Sequence, residues 1–229
     1  MDKQNQRLNK HLALQLGVSR READDLIAAG KVRIDNEVVS LGSRASPGAK
    51  ISVDNQLVRD DTDFLYIALN KPVGYVCSRK AQDANPTIYE LLPAKYHNLK
   101  PVGRLDKDSS GIILLSNDGD FAYQMTHPKF LKSKLYELTL DRDLEPLHQQ
   151  MIADFGVDLT DGKSQLTLQK IDENDTKRWY ASMKEGRNRQ IRRTFGALGY
   201  TVTQLHRLEF GNYQLDSLKS GAFELTARQ

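Results

Sequence analysis

Only one cysteine, Cys77, occurs in the 229 residues, so no disulfide can close within the chain and a thiolate zinc site has no second ligand. A lone thiol suits a reducing compartment, and a cytoplasmic location is expected. No apolar run approaches the ~20 residues of a membrane-spanning helix, so no membrane association is expected. The opening Met1-Asp2-Lys3-Gln4-Asn5-Gln6 is polar and lacks an apolar core, so no secretory signal is expected. The histidines at 11, 97, 127, 148 and 206 have no metal-ligand spacing, and no metal is expected. G-x-x-x-x-G-K-[ST], G-x-G-x-x-G and G-x-S-x-G are all missing, which leaves nucleotide cradles and the serine-hydrolase elbow unsupported. Repeats and low-complexity tracts are also absent.

What is present is unevenly charged. Residues 1–59 hold ten Lys/Arg against seven Asp/Glu, and residues 60–229 hold 23 of each, so the whole net charge of +3 lies in the first quarter. Within the neutral part, Lys184, Arg187, Arg189, Arg192 and Arg193 crowd together against one acid, Glu185. Local basic patches of this kind point to a polyanion partner. The length allows one large domain, or a small and a medium one.

The first quarter reads as a small α+β module. Leu8, Leu12 and Leu16 recur every fourth residue and Gly17 ends that helical pattern. Ser19-Arg20-Arg21-Glu22 is a capping box, with Ala23, Leu26 and Ile27 on the buried face and Gly30 closing the helix. A hairpin turning at Asp35-Asn36 and a strand at Ile51–Val53 follow. Arg20 and Arg21 sit at the positive end of a helix dipole, where phosphate contact would justify them. The pattern RLNKHL…GVSRREADDLIAAGKVRIDNEVV resembles the S4-type RNA-binding domain over residues 7 to about 54. On this likeness Arg7, Lys10, Arg20, Arg21, Lys31 and, further on, Lys71 are candidate RNA contacts. Domains are expected at 1–59 and 64–229, joined by the polar linker 60–63.

In the larger part, Phe64–Leu69, Tyr75–Ser78, Lys134–Leu140, Leu166–Ile171 and Trp179–Met183 read as strands, with closing strands around Val202–Phe210. Thr87–Leu92, Phe121–His127 and Glu145–Phe155 read as helices. Asn188 is a plausible N-cap for a further helix whose buried stripe is Ile191, Phe195 and Leu198. Without regular βαβ alternation the fold class is α+β: a small N-terminal domain plus a larger domain with a mixed, mainly antiparallel sheet flanked by helices.

The stretch that organises this domain is Pro101-Val102-Gly103-Arg104-Leu105-Asp106-Lys107-Asp108-Ser109-Ser110-Gly111, followed by the apolar run Ile112–Leu115. A charged loop between glycines, fixed at the mouth of a buried strand, can hold one side chain rigidly over a pocket. Arg104 and Asp106 flank Leu105, so on an extended backbone both leave on one face. An Asp in a turn is by itself ordinary. In Lys134–Leu140 a period of two puts Lys134, Tyr136, Leu138 and Leu140 on one face. A tyrosine beside a lysine at the end of such a face is either core or a platform for a base. Cys77 reads as a small core residue, not a nucleophile.

GRLDKDSSGIILLSNDG, KLYELTL and EGRNRQIRRTFGALGY, with LNKPVGYVCS before them, resemble the motifs of the RsuA/RluB/RluE/RluF family of rRNA pseudouridine synthases, in the family's order and over nearly the whole chain. Ser109-Ser110 stands where that family often has Thr-Thr or Thr-Ser. The resemblance implies isomerisation of a uridine to pseudouridine in ribosomal RNA, a redox-neutral reaction that needs no cofactor. It implies Asp106 as the catalytic carboxylate, as nucleophile or as base at the ribose. It also implies Tyr136 packed on the target base and Arg192 as the ion-pair partner that keeps Asp106 charged. Arg104, Lys134 and Arg189 are implied as substrate contacts, Arg104 filling the gap left by a flipped base. The partner expected is a structured stem-loop or bulge of rRNA, met by a monomer. The wording of HPKFLKSKLYELTL and EGRNRQIRR lies nearer the large-subunit members, so 23S rRNA is the expected target. A 16S rRNA synthase and a non-catalytic ribosome-assembly factor are the alternatives.

Overall fold

The computed structural model describes residues 6–59, 63–79 and 84–229. It forms two compact units. One ends at Phe64 and takes in Asn117–Gly119, and the other comprises Leu65–Ser116 and Asp120–Gln229. Of the expected linker 60–63, all but Asp63 lies outside the described residues.

The first unit runs β1 (Gln6–Arg7), α1 (Leu8–Gln15), α2 (Arg20–Ala28), β2 (Val32–Ile34), β3 (Glu37–Val38), β4 (Arg44–Ala45), β5 (Ile51–Val53) and β6 (Gln56–Leu57). Leu8 and Leu12 are fully buried, but Leu16 falls on the C-cap of α1 and is exposed, so the leucine stripe is one residue shorter than its spacing predicts. The capping box forms. Glu22 N donates to Ser19 Oγ at 3.1 Å, and Ser19 N donates to the Glu22 carboxylate at 2.6 Å. Asp35 and Asn36 take φ of 49° and 73°, the left-handed pair that a tight hairpin needs. Strand order is β3-β2-β5-β6, closed over a core of Leu8, Leu12, Ala23, Ile27, Val32 and Ile51.

The second unit adds β7 (Tyr66–Lys71), β8 (Lys100–Val102), β9 (Ser110–Ser116), α3 (Gly119–Thr126), β10 (Lys134–Leu140), α4 (Pro146–Gln150), β11 (Val157–Leu159), β12 (Gly162–Ser164), β13 (Thr167–Asp172), β14 (Asp175–Met183), α5 (Gln190–Ala197), β15 (Val202–Phe210), β16 (Tyr213–Gln214) and β17 (Phe223–Thr226). Its main sheet has the order β13-β14-β10-β15-β9-β7-β17, with β16 on β15 and β8 on β9. The β9–β15 pairing is parallel and the other described pairings in it are antiparallel, so the α+β class and mixed sheet stand as expected.

β9 explains its own sequence. Ile113 and Leu115 enter the larger core with Trp179, Leu138 and Phe195. Ile112 and Leu114 enter the core on the other side, with Phe121 and Phe210. A strand covered on both faces has no polar alternation.

Some elements differ from expectation. The first strand of this unit starts at Tyr66, because Phe64 is exposed. Tyr75–Ser78 makes no strand, only a bridge between Val76 and Thr87. Residues 145–155 split into α4 and a π turn at Met151–Phe155, ended by Gly156 at φ 72°. The hairpin β11–β12 and the short β16 and β17 carry too little apolar alternation to stand out.

Candidate active site

The loop 103–109 leaves β8 at Gly103 (φ 75°) and enters β9 at Ser110, and its backbone is gripped from below. Lys71 Nζ donates to Ser109 O at 2.6 Å and to Pro72 O at 2.9 Å. Gly74 N donates to Lys107 O at 2.9 Å, and Leu105 N donates to Cys77 Sγ at 3.4 Å. Arg192 Nη2 donates to Asp108 O at 2.8 Å. Leu105 is buried between Arg104, which is exposed, and Asp106, which is half-buried. The alternation expected for these three residues is therefore present.

One expectation about this layer changes. Lys71 is fully buried and cannot meet RNA; it is an internal clamp on the loop. Burial pushes its ammonium down from 10.5 to about 8, against the pull of Cys77, Asp106 and Asp108. Burial pushes the Cys77 thiol up, which keeps it protonated and unreactive, in line with its reading as a core residue.

β9 meets β15 at Gly111, whose φ is 107° and whose missing Cβ would collide with the backbone of Arg207. That approach carries β15 and β10 to the loop. Tyr136 on β10 lies directly opposite Arg207 on β15. The Arg207 guanidinium stands 6.0 Å from the Tyr136 ring centre and 4.7 Å from that of Phe210. Lys134 Nζ donates to Glu185 O at 3.0 Å and lies 5.4 Å from the Phe210 ring centre. Burial, reinforced by Arg207 and opposed by Glu185, lowers Lys134 to about 8.

The third wall is the loop before α5. Arg189, not Asn188, is the N-cap, in a left-handed conformation with φ 46°. Its Nη1 lies 3.8 Å from Asp106 Oδ2 and 3.4 Å from Asp108 Oδ2. The expected Arg192–Asp106 ion pair does not form. Ile191 and Phe195 fix the face of α5 that is buried, and Arg192 then points its fork at the carbonyls of Val202 and Asp108. Burial lowers the Arg192 pKa, Arg189 adds to this, and Asp108 and Asp106 oppose it.

Behind this loop stands the β11–β12 hairpin. Arg193 donates to both carboxylate oxygens of Asp161 at 2.9 and 2.7 Å, and Arg187 donates to Asp161 O at 2.9 Å and Gly162 O at 2.8 Å. Hydrogen bonds from Arg193 hold the Asp161 carboxyl below its usual range. Gln190 Nε2 donates to Ser164 Oγ at 3.1 Å and to Glu185, and Ser164 Oγ shares a 2.7 Å hydrogen bond with Thr194 Oγ1.

These walls enclose a cavity of about 520 Å³ lined by Arg104, Asp106, Lys134, Tyr136, Arg189 and Arg207, among others. That volume suits a small organic group. Five of those six were expected as site residues. Arg207 was not, because in sequence it is one polar residue among several in the closing strand VTQLHRLEF. Among the described residues, no three His, Cys, Asp or Glu side chains gather as a metal site requires, and no helix is long and apolar enough to cross a membrane.

The candidates in the first unit fall into two places. Arg20 and Arg21 are exposed in the first turn of α2, and Arg20 Nη2 donates to Asn9 Oδ1 at 3.4 Å. Arg7 lines a cavity of about 290 Å³ with Asn9 and Asp24, and Lys10 is half-buried on α1. Lys31 lies past the other end of α2, ~13 Å away by helical rise, and pairs with Asp54 at 3.3 Å.

Comparison with known proteins bears on this geometry. The family model described as RNA pseudouridylate synthase matches residues 65–197, and that of the S4 domain matches residues 6–60. The ribosomal small subunit pseudouridine synthase A of Yersinia pestis is 36% identical over 211 residues, 92% of this chain and 89% of that protein. The ribosomal large subunit pseudouridine synthase B of Bacillus subtilis (strain 168) is 33% identical over 230 residues, 98% of this chain and 93% of that protein. A crystal structure of a pseudouridylate synthase superposes with a TM-score of 0.69 at 32% identity, covering 97% of this chain and 96% of that one. With an S4 domain in front of a matched catalytic segment, and relatives that align along most of its length, the chain belongs to the RNA pseudouridylate synthase family of enzymes.

Proposed function

We propose that this enzyme converts a uridine of ribosomal RNA to pseudouridine, with Asp106 as the reacting carboxylate. The observation that carries this is the convergence of Asp106, Tyr136 and a cluster of cations on one cavity. The target nucleotide flips out of its stem-loop or bulge, and its base packs on Tyr136. Asp106 attacks C1′ or takes the C2′ proton, and the N1–C1′ bond breaks. The base turns and C5 joins C1′. Arg189 pairs with the Asp106 carboxylate at 3.8 Å, and Arg192 and Lys71 hold the loop that bears it. Lys134 and Arg104 meet the flipped nucleotide and the gap it leaves.

The S4 unit supplies affinity through Arg7, Lys10, Arg20 and Arg21, contacts made with phosphate and therefore weakened by salt. Lys31 adds little, since Asp54 already pairs with it. The protein acts as a monomer in the cytoplasm, with a boundary between its two domains near residue 60.

We place the target in 23S rRNA, on the wording of HPKFLKSKLYELTL and EGRNRQIRR. A 16S target is the second reading, favoured by the 36% identity to a small-subunit synthase. Mapping pseudouridines in both rRNAs from cells with and without the gene decides between them. One position lost from 23S rRNA is the expected result. One lost from 16S rRNA selects the second reading, and no loss in either rejects the rRNA assignment.

A further inference from the structure

Arg207 has no task in the scheme above, yet it is 2% exposed and lines the cavity. Its Nε donates to Ile112 O at 2.8 Å. Its Nη2 is buried and has no hydrogen-bond partner among the described residues, and no acid among them pairs with it. Its charged neighbours include two cations, Lys71 and Lys134. A buried guanidinium with no counter-charge is costly to keep, so the site favours any anion that forms beside it. It lies across from Tyr136, the ring on which the base packs.

We infer that Arg207 stabilises the negative charge on the uracil after the glycosidic bond breaks, through a hydrogen bond from Nη2 to a uracil carbonyl oxygen. This role rests on the chain being a pseudouridine synthase that packs its target base on Tyr136. The N1–C1′ bond breaks and its electron pair leaves with the base. The detached ring then carries one negative charge spread over N1, O2 and O4. Asp106 balances the sugar, either by bonding to C1′ or by taking the C2′ proton. When C5 bonds to C1′, the carboxylate leaves with its pair or returns the proton. C5 loses a proton and N1 gains one, so the product is an isomer of the substrate. The Arg207 hydrogen bond is strongest while the ring is anionic, so it accelerates the step instead of merely binding the substrate.

The test uses the full-length protein and transcribed rRNA under single-turnover conditions, with uridine or 5-fluorouridine throughout the RNA. Fluorine at C5 makes the uracil anion more stable and needs less help from the protein. Arg207→Lys and Arg207→Gln should lower the rate on uridine RNA by about 100- to 1,000-fold, as loss of an oxyanion donor does, with half-saturation changed less than about threefold. On 5-fluorouridine RNA C5 has no proton to lose, so the rate followed there is the loss of the N1-linked nucleoside, which reports the bond-breaking step. Its deficit should shrink at least tenfold, a change that a merely structural arginine would not produce. An equal deficit on both RNAs, or no deficit, overturns the role.

A second measurement needs no Arg207 variant. In a complex of Asp106→Asn with RNA carrying one 5-fluorouridine at the target, fluorine NMR follows ionisation of the base with pH. Ionisation at lower pH than in free RNA supports the role, and an unchanged or higher value overturns it. If the wild-type protein makes no pseudouridine in rRNA, the functional assignment itself has failed, a result distinct from either of these.

Discussion

Arg189 Nη1 stands 3.8 Å from Asp106 Oδ2, while Arg192, three residues on, commits its guanidinium to the carbonyls of Asp108 and Val202. One arginine faces the carboxylate and the other fixes the backbone that carries it. Arg192→Ala leaves the part-buried Val202 carbonyl without this donor, at about 1–3 kcal/mol, and frees the loop at the exposed Asp108 carbonyl. A displacement of ~1 Å at a reacting group costs about 100-fold in rate, so kcat should fall by that order and the melting temperature should drop. Arg189→Ala removes a partly exposed pair, and should cost less in kcat with no loss of melting temperature. Single-turnover rates at saturating RNA and thermal melts check both. A larger kcat loss in Arg189→Ala would reverse the assignment.

Lys71 gives the fold a signature in pH. Its pKa falls from 10.5 to about 8 on folding, so between those values the unfolded chain binds more protons. Stability therefore rises with pH through that window, and the penalty is complete below about pH 8. Lys71→Met removes this term, while Lys134, shifted the same way, keeps its own. The unfolding free energy of wild type relative to Lys71→Met should grow from pH 8 to pH 10, by roughly 3 kcal/mol at most at 1.36 kcal/mol per unit. Denaturant titrations at a series of pH values measure it. A difference that stays flat or shrinks counts against the buried, discharged lysine.

Gly111→Ala should be severe. The added methyl meets the Arg207 backbone, and φ of 107° is strained for any side chain. The β9–β15 contact opens, with an expected loss of about 2 kcal/mol or more and a fall in activity greater than the loss of folded protein explains. Calorimetry and rate measurement on the same sample separate the two effects.

Much of this was legible in the residues. The capping box at Ser19, the Asp35-Asn36 turn, the buried run of β9 and the alternation of β10 are local patterns, and each formed where it was expected. The site loop was legible because its charges and glycines sit together in sequence. What escaped depends on distant partners. Lys71 looks like a surface lysine until β9 and its loop cover it. Arg207 gains meaning only when the parallel pairing with β9 and the opposition to Tyr136 exist. Arg189 stands beside Asp106 as a left-handed N-cap, a backbone state its sequence does not announce, while Arg192 on the helix is committed to the carbonyls of Asp108 and Val202.

The β11–β12 hairpin is expected to act as a brace for the loop before α5. Asp161 accepts from both Arg187 and Arg193. Asp161→Ala should release that loop, raising the RNA concentration for half-maximal rate and lowering kcat, each by up to about tenfold. Asp161→Glu should restore part of both. Steady-state kinetics on rRNA, with a melt to confirm folding, decide the matter, and unchanged kinetics in Asp161→Ala would show that the brace is not needed.

The central claim is that one carboxylate does the bond-breaking. Asp106→Asn preserves size and can still accept a hydrogen bond, but it can neither attack C1′ effectively nor take a proton. Assayed on rRNA at saturating enzyme, with pseudouridine counted directly and RNA binding measured in parallel, the variant should form no product above background while binding RNA within about threefold of wild type. Measurable conversion by Asp106→Asn would contradict the account.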